Sequence, residues 1–178
     1  MGATIGAIYS YSDGKAFVIG NTLPKGICGT GLIDVVAELL KQGKIDKSGL
    51  LCEEETEIAG GVFLERNDVR QYQLAKSAIF SAITVLLKEK NVSFENIEKL
   101  YISGGFSARL NADNAIFTGL LPSELKGKCV FLNNSSLLGT VKFACENNSL
   151  EQLTRNAEYI DKSQNEAFSN KFIKNMNF

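Results

Sequence analysis

Residues 101–110 read YISGGFSARL, an apolar run that ends at two adjacent glycines. Ile97, Leu100, Tyr101 and Ile102 predict a buried strand, and Gly104 and Gly105 let the backbone turn sharply or lie bare against something flat. No phosphate-loop lysine follows the pair and no third glycine opens a helix, so neither a phosphate loop nor a dinucleotide fingerprint fits. Two readings stay open: a turn required by packing alone, and a seat for a flat ligand at the carboxyl edge of a sheet. A second cluster, GICGTG at 26–31, predicts a strand-to-helix turn whose amides, with Thr30, can face phosphate; a tight turn explains it equally well.

Several chemistries are excluded by what is missing. The chain has no histidine, which removes Ser-His and Cys-His nucleophile pairs and the usual neutral-pH base. Cys28, Cys52, Cys129 and Cys145 contain no C-x-x-C pair, which argues against an iron–sulfur cluster or zinc site in this chain; buried reduced thiols are expected. The acidic run EEETE at 53–57 is expected to be a solvated loop or strand edge rather than a metal site. No catalytic residue and no metal ligand is assigned. A net charge of −1, with 19 basic and 20 acidic residues interspersed, offers no basic surface to nucleic acid or an anionic membrane. Apolar stretches such as AIFSAITVLL at 78–87 are too short to span a bilayer, and the N-terminus lacks an export signal, so a cytoplasmic protein is expected.

The elements that position these residues alternate between strand and helix. Two alternating runs flank Asp13-Gly14, a hairpin signal. Leu32, Val35, Val36, Leu39 and Leu40 recur with helical period, with Gly43 placed to end the helix. From Asn67 or Asp68 as N-cap, a long helix is predicted with Ala75, Ala78, Ile79, Ala82, Ile83 and Leu86 as its packed stripe. Gln73, Ser77, Phe80, Thr84 and Lys88 then fall on another face, with Arg70 and Lys76 at its margins, and this face is expected to line a cleft. After the glycine pair, Asn111 or Asp113 caps a short helix stopped near Gly119 and Pro122, KGKCVFLNN predicts a strand, and SSLLGTVKFACEN predicts a small-residue helix. Residues 149–178 form a polar segment with Leu150, Leu153, Ala157 and Ile160 in helical spacing, then aromatics to the end. A hydrophobic content of 44% over 178 residues supports a real core, and the fold class is α/β, a mixed sheet with packed helices.

LYISGGFSARLNADNAIFTGLLP resembles the adenosine segment of the actin-like ATPases, the superfamily of acetate and sugar kinases and actin. PKGICGTGLIDVVAELLKQGKID, NDVRQYQLAKSAIFSAITVLL, the strand-glycine segment, VFLNNSSLLGTVKFA and EYIDKSQNEAFSNKFIKNMNF resemble, in order, the C-terminal actin-like (ASKHA) ATPase region of the reductive activators of corrinoid proteins. The resemblance implies a partial actin-like, ribonuclease-H-like lobe over 1–178, with 149–178 as its helical and aromatic extension. In that family an iron–sulfur domain precedes the ATPase, and ATP with Mg2+ helps one low-potential electron reach cob(II)alamin on a corrinoid protein. Those cluster ligands, and the aspartate-glycine segments that hold metal and orient water, are absent from this chain. It is therefore expected to be part of the second lobe, a truncated piece or a split gene product, and hydrolytically inert alone.

The resemblance implies site roles residue by residue. Gly104 and Gly105 would pack beneath adenine or ribose with Phe106 flanking, while Lys76 and Gln73 would hydrogen-bond ribose hydroxyls or the base edge. Thr30 would help at phosphate, and Gly139 would permit close crossing against the other lobe. The expected activity is ATP-dependent reductive activation by the complete protein, partnered by a corrinoid protein and the remaining lobe. The alternatives are a protein-binding or dimerisation module, motivated by Phe80, and a nucleotide sensor.

Overall fold

The structure is a computed structural model that describes residues 1–105, 107–132, 134–146, 155, 161 and 165–178. Strands β1 (Ala7–Ser12) and β2 (Lys15–Val18) form the expected antiparallel hairpin. Asp13 and Gly14 both take positive φ, 50° and 73°, the left-handed pair whose twist suits a two-residue hairpin loop. Strand β3 (Gly26–Ile27) pairs parallel with β1 on its other side, so this sheet has the order β2-β1-β3 and is mixed.

Helix α1 (Gly29–Lys41) packs on β1 through Ile33, Val36 and Leu39, which join Ile8 and Tyr11 in the main hydrophobic cluster. It ends at Gly43, whose φ of 70° needs no side chain to be accommodated. Gly31 serves close packing instead. A Cβ there would stand 2.2 Å from the Ile8 carbonyl oxygen, so only glycine lets α1 approach β1 this closely.

The mixed stretch at 44–66 contains a second hairpin that its composition did not announce, β4 (Glu55–Ala59) with β5 (Val62–Glu65). Thr56 and Ile58 are buried while Glu55 and Glu57 are exposed, so the acidic run supplies the solvent face of an alternating strand. Helix α2 (Arg66–Glu89) starts two to three residues earlier than expected. Glu65 is the N-cap, and the Asp68 carboxylate accepts from the Glu65 amide at 3.0 Å, completing a capping box.

The buried face of α2 is turned from the expected stripe, of which Ala78, Ala82 and Ile83 are half-buried and Ile83 packs on the core. Ala75, Ile79 and Leu86 are exposed, whereas Tyr72, Gln73, Lys76, Ser77 and Ser81 are buried. Helix α5 (Glu166–Lys174) and the residues after it cover this polar side and satisfy it with backbone carbonyls: Ser77 donates to the Phe172 oxygen and Lys76 to that of Asn177. Polar side chains are stable inside a fold when a partner reaches them, and here later residues of the same chain supply it.

Strands β6 (Leu100–Ile102) and β7 (Cys129–Phe131) pair in parallel, in a sheet of their own. Between them lies α3 (Ala112–Phe117), capped by Asn111, whose side chain accepts from the Asn114 amide at 3.1 Å, and closed at Gly119. Helix α4 (Ser135–Glu146) follows β7, with Asn134 accepting from the Leu137 amide. The architecture is α/β, with three small sheets among the described residues in place of the single mixed sheet expected. Most of 149–164, including the helical spacing read at 150–160, lies outside the described residues. No helix among the described residues is long and apolar enough to cross a membrane.

Candidate functional site

The parallel pair β6 and β7 presents two carboxyl ends side by side. One leads into Ser103-Gly104-Gly105 and the other into α4, and the two are tied where the Ser135 hydroxyl donates to that of Ser103 at 2.8 Å. Ser107 closes the glycine turn from beneath, its hydroxyl reaching the carbonyls of Gly104 and Leu132. Arg109 extends back from the turn and places its guanidinium 4.0 Å from the centroid of the Tyr9 ring on β1. No local pattern marks this contact, because the two residues meet only through tertiary packing.

The two glycines are bare for different reasons. Gly104 has a φ of 86°, which side chains rarely adopt, so the turn itself demands it. Gly105 lacks a positive φ, and a Cβ built on it would find nothing within 4 Å. Nothing in the described chain therefore requires Gly105 to be glycine. Phe106 lies outside the described residues.

Thr30, Gln73 and Lys76 are placed elsewhere than an open cleft. The Thr30 hydroxyl is buried and donates to the Tyr9 carbonyl at 2.9 Å, holding the start of α1 against β1 instead of facing outward. Gln73 is buried and donates to the Ser48 carbonyl at 2.7 Å, with Gly49 pressed against its amide. Lys76 meets Asn177 and lies 5.0 Å from the centroid of the Phe178 ring. Burial alone pulls the Lys76 ammonium down to about 8. The neighbouring Tyr72 hydroxyl shares a short hydrogen bond with Thr118, and burial, reinforced by the Asp34 charge, pushes it up despite that bond. The physical reason for all three placements is the same: the segments that satisfy these groups are distant in sequence, so helical periodicity could not mark the faces as internal.

The buried centre beside this site is Asp34 of α1. It is 2% exposed. One carboxylate oxygen accepts from the Ser10 hydroxyl at 2.7 Å and the Tyr11 amide at 3.3 Å, and the other from the Asn114 side-chain amide at 2.8 Å. Lys41 donates to the Asn114 oxygen at 2.9 Å, which orients that amide toward Asp34. Asp34 thus ties β1 and α1 to α3, the helix that follows the glycine turn. The one available signal was an acid flanked by Ile33 and Val35 on the packed side of a strongly amphipathic helix.

Large apolar groups stand exposed around this end of the molecule. Leu137, Leu138 and Val141 of α4 are more than half exposed, as is Tyr101 of β6, and a Cβ at Gly139 would touch nothing. Of the cysteines, Cys28 alone is fully buried, Cys129 is half-buried, and Cys52 and Cys145 are exposed, so the expectation of buried thiols holds for the first only.

Comparison with known proteins gives this arrangement a family. All of residues 1–178 match the model described as the C-terminal domain of RACo, the ASKHA domain. The chain is 29% identical over 133 residues to the corrinoid activation enzyme RamQ of Eubacterium limosum, covering 59% of this chain and 22% of that protein. It is also 29% identical over 153 residues to the [Co(II) methylated amine-specific corrinoid protein] reductase of Methanosarcina barkeri, covering 83% of this chain and 28% of that protein. A solved reductive activator for corrinoid, iron–sulfur protein superposes on the whole chain with a TM-score of 0.85 at 30% identity, over 33% of its own length. The chain thus spans between about a fifth and a third of the length of these relatives. By sequence along its full length and by fold, it belongs to the family of RACo C-terminal ASKHA domains.

Proposed function

We propose that this chain contributes the adenosine side of the nucleotide site of an ATP-dependent reductive activator, which returns a corrinoid protein from cob(II)alamin to cob(I)alamin for methyl transfer. The observation that carries the reading is Gly105, bare at the carboxyl edge of a parallel strand pair although no neighbour or backbone angle requires it. A flat base or ribose lying on the turn supplies the missing requirement, and strand carboxyl ends are where open α/β sheets bind ligands. Gly104, Gly105 and Phe106 would seat the nucleoside. Thr30, Gln73 and Lys76, whose polar groups engage the chain's own carbonyls, are not part of the proposed seat.

ATP with Mg2+, when bound in the complete protein, supplies the free energy of phosphoryl transfer. This chain's own residues position the nucleoside, and phosphate electrostatics, which provide most of the catalysis in such reactions, belong to the remaining lobe. The exposed apolar side chains of α4 and β6, with Ile79 and Leu86 of α2, support that lobe as the first partner and the corrinoid protein as the second. A cytoplasmic setting suits low-potential electron transfer of this kind.

The test is calorimetric titration with ADP and with ATP plus magnesium, comparing the parent with Gly105→Val. A Cβ at this position meets nothing within 4 Å, so folding stability should change by less than about 1 kcal/mol while nucleotide affinity falls at least tenfold. Equal affinity in the two proteins would remove the turn from the site. ATP turnover by the chain alone would contradict the assignment of hydrolysis to the other lobe.

A further inference from the structure

Residues Asn175–Phe178 sit on α2 through a few separable contacts. The Asn175 side chain donates to the Ser81 hydroxyl at 3.3 Å, the Asn177 carbonyl accepts from Lys76, and the Phe178 amide donates to the Lys47 carbonyl at 2.9 Å. The Phe178 ring stacks on Tyr72 with centroids 6.0 Å apart. Helix α5 has an attachment of its own, from Ser77 to the Phe172 carbonyl and from Asn165 to Glu89 at 2.9 Å. Beside the ring, a half-open cavity of about 470 Å³ lined by Leu40, Ile45, Phe117 and Phe178 gives water a route to its edge.

We propose that residues 175–178 are a strap that opens and closes on α2 while the rest of the fold stays intact, with the charge on Lys76 setting how tightly it closes. This device stands apart from the nucleotide reading and uses none of its residues.

The lysine is 3% exposed, yet among the described residues its ammonium meets one carbonyl and one ring face. A buried ammonium is stable when a carboxylate compensates it, and among the described residues no carboxylate forms an ion pair with Lys76. Closing the strap therefore strips water from a charge that it only partly repays. Two effects oppose each other here, since the ring attracts the charged form and desolvation rejects it. Burial pulls the ammonium down to about 8, the direction in which desolvation acts. The neutral amine still donates to Asn177, so the closed state keeps its bond and loses its penalty.

The other charged or titratable groups facing this seat are few. Among the described residues these are Tyr72 on α2, Asp34 of α1 acting through Tyr72, and Asp46 and Lys47 on the loop before β4. Lys88, Lys171 and Lys174 line the next cavity along α2 and α5. The Gly119 turn, 3.3 Å from the ammonium by its hypothetical Cβ, brings no charge. With a closed-state value lowered to about 8 and an open-state value near 10.5, opening binds more protons than closing between those limits. Closure is therefore weakest below pH 8 and strengthens as pH rises toward 10.

The experiment is amide exchange by NMR on the full chain, expressed as protection factors so that faster chemical exchange at high pH cancels. The Phe178 amide should be at least about 100-fold less protected than core amides of α1, and its protection should rise about fivefold to tenfold between pH 7.5 and 9. In Lys76→Met the protection should be higher at pH 7.5 and flat with pH. Exchange of Phe178 together with the core would overturn the strap, and a flat profile in the parent would overturn the role of Lys76. If Lys76→Met does not fold, the pH series on the parent decides alone.

Discussion

Replacing Asp34 with alanine is expected to lower unfolding free energy by about 3–5 kcal/mol, a large share of the stability of a domain this size. The substitution deletes an acceptor used by Ser10, Tyr11 and Asn114, and leaves one buried and two part-buried donors without that partner. Asp34→Asn should cost less, about 1–3 kcal/mol, since one amide oxygen still accepts while the other position now donates toward a donor. Urea denaturation followed by circular dichroism reads both, and the order alanine worse than asparagine is the outcome to check. Equal midpoints for parent and Asp34→Ala would mean that the carboxylate is not the joint between β1, α1 and α3.

The second large effect is steric. Gly31→Ala should destabilise by about 3 kcal/mol, because the added carbon would lie 2.2 Å from a backbone oxygen and α1 must move off β1 to admit it. Gly139→Ala is the control: its Cβ meets nothing, and it lies inside a helix, so alanine should be neutral or stabilise by about 0.5–1 kcal/mol. The two substitutions are chemically identical and differ only in what stands opposite, so thermal midpoints moving in opposite directions would confirm the contact as the cause. A fall of the same size at both positions would assign the loss to helix formation instead.

The close approach at Gly31 also gives the GICGTG cluster a packing role, beside the phosphate-facing reading that its sequence allows. Gly26 pairs with Ala7 in the sheet, Gly31 admits the β1 backbone, and the Thr30 hydroxyl is spent on Tyr9. A tight strand-to-helix turn accounts for each of these residues without a phosphate.

Much of the fold was legible because it rests on local rules. The Asp13-Gly14 hairpin, the span and stop of α1, the Asn111 cap and the strand before the glycine pair each follow from neighbours within a few residues, although that strand is half-buried with Tyr101 exposed instead of buried as expected. The β4–β5 hairpin escaped because its alternation is short and its exposed positions are glutamates, which resemble a solvated run until Thr56 and Ile58 are seen to be buried. The buried face of α2 departs from its apolar periodicity for a deeper reason. Its alanine and isoleucine stripe has the period of a packed surface, but Ile79 and Leu86 stand exposed, while Lys76, Ser77 and Ser81 are internal because partners a hundred or so residues later reach them.

By itself the sequence determined the α/β class, the elements whose signals are local, and the glycine pair as a feature needing explanation; its ordered blocks identified the family. Tertiary structure alone decided which polar groups are available. Gln73, Lys76, Thr30 and Asp34 carry side chains suited to ligands or to solvent, and packing turned each inward onto a carbonyl or a donor from another element. The cause is that hydrogen bonding is satisfied in space and not along the chain: a polar residue reads as surface until the segment that pairs with it has folded over it.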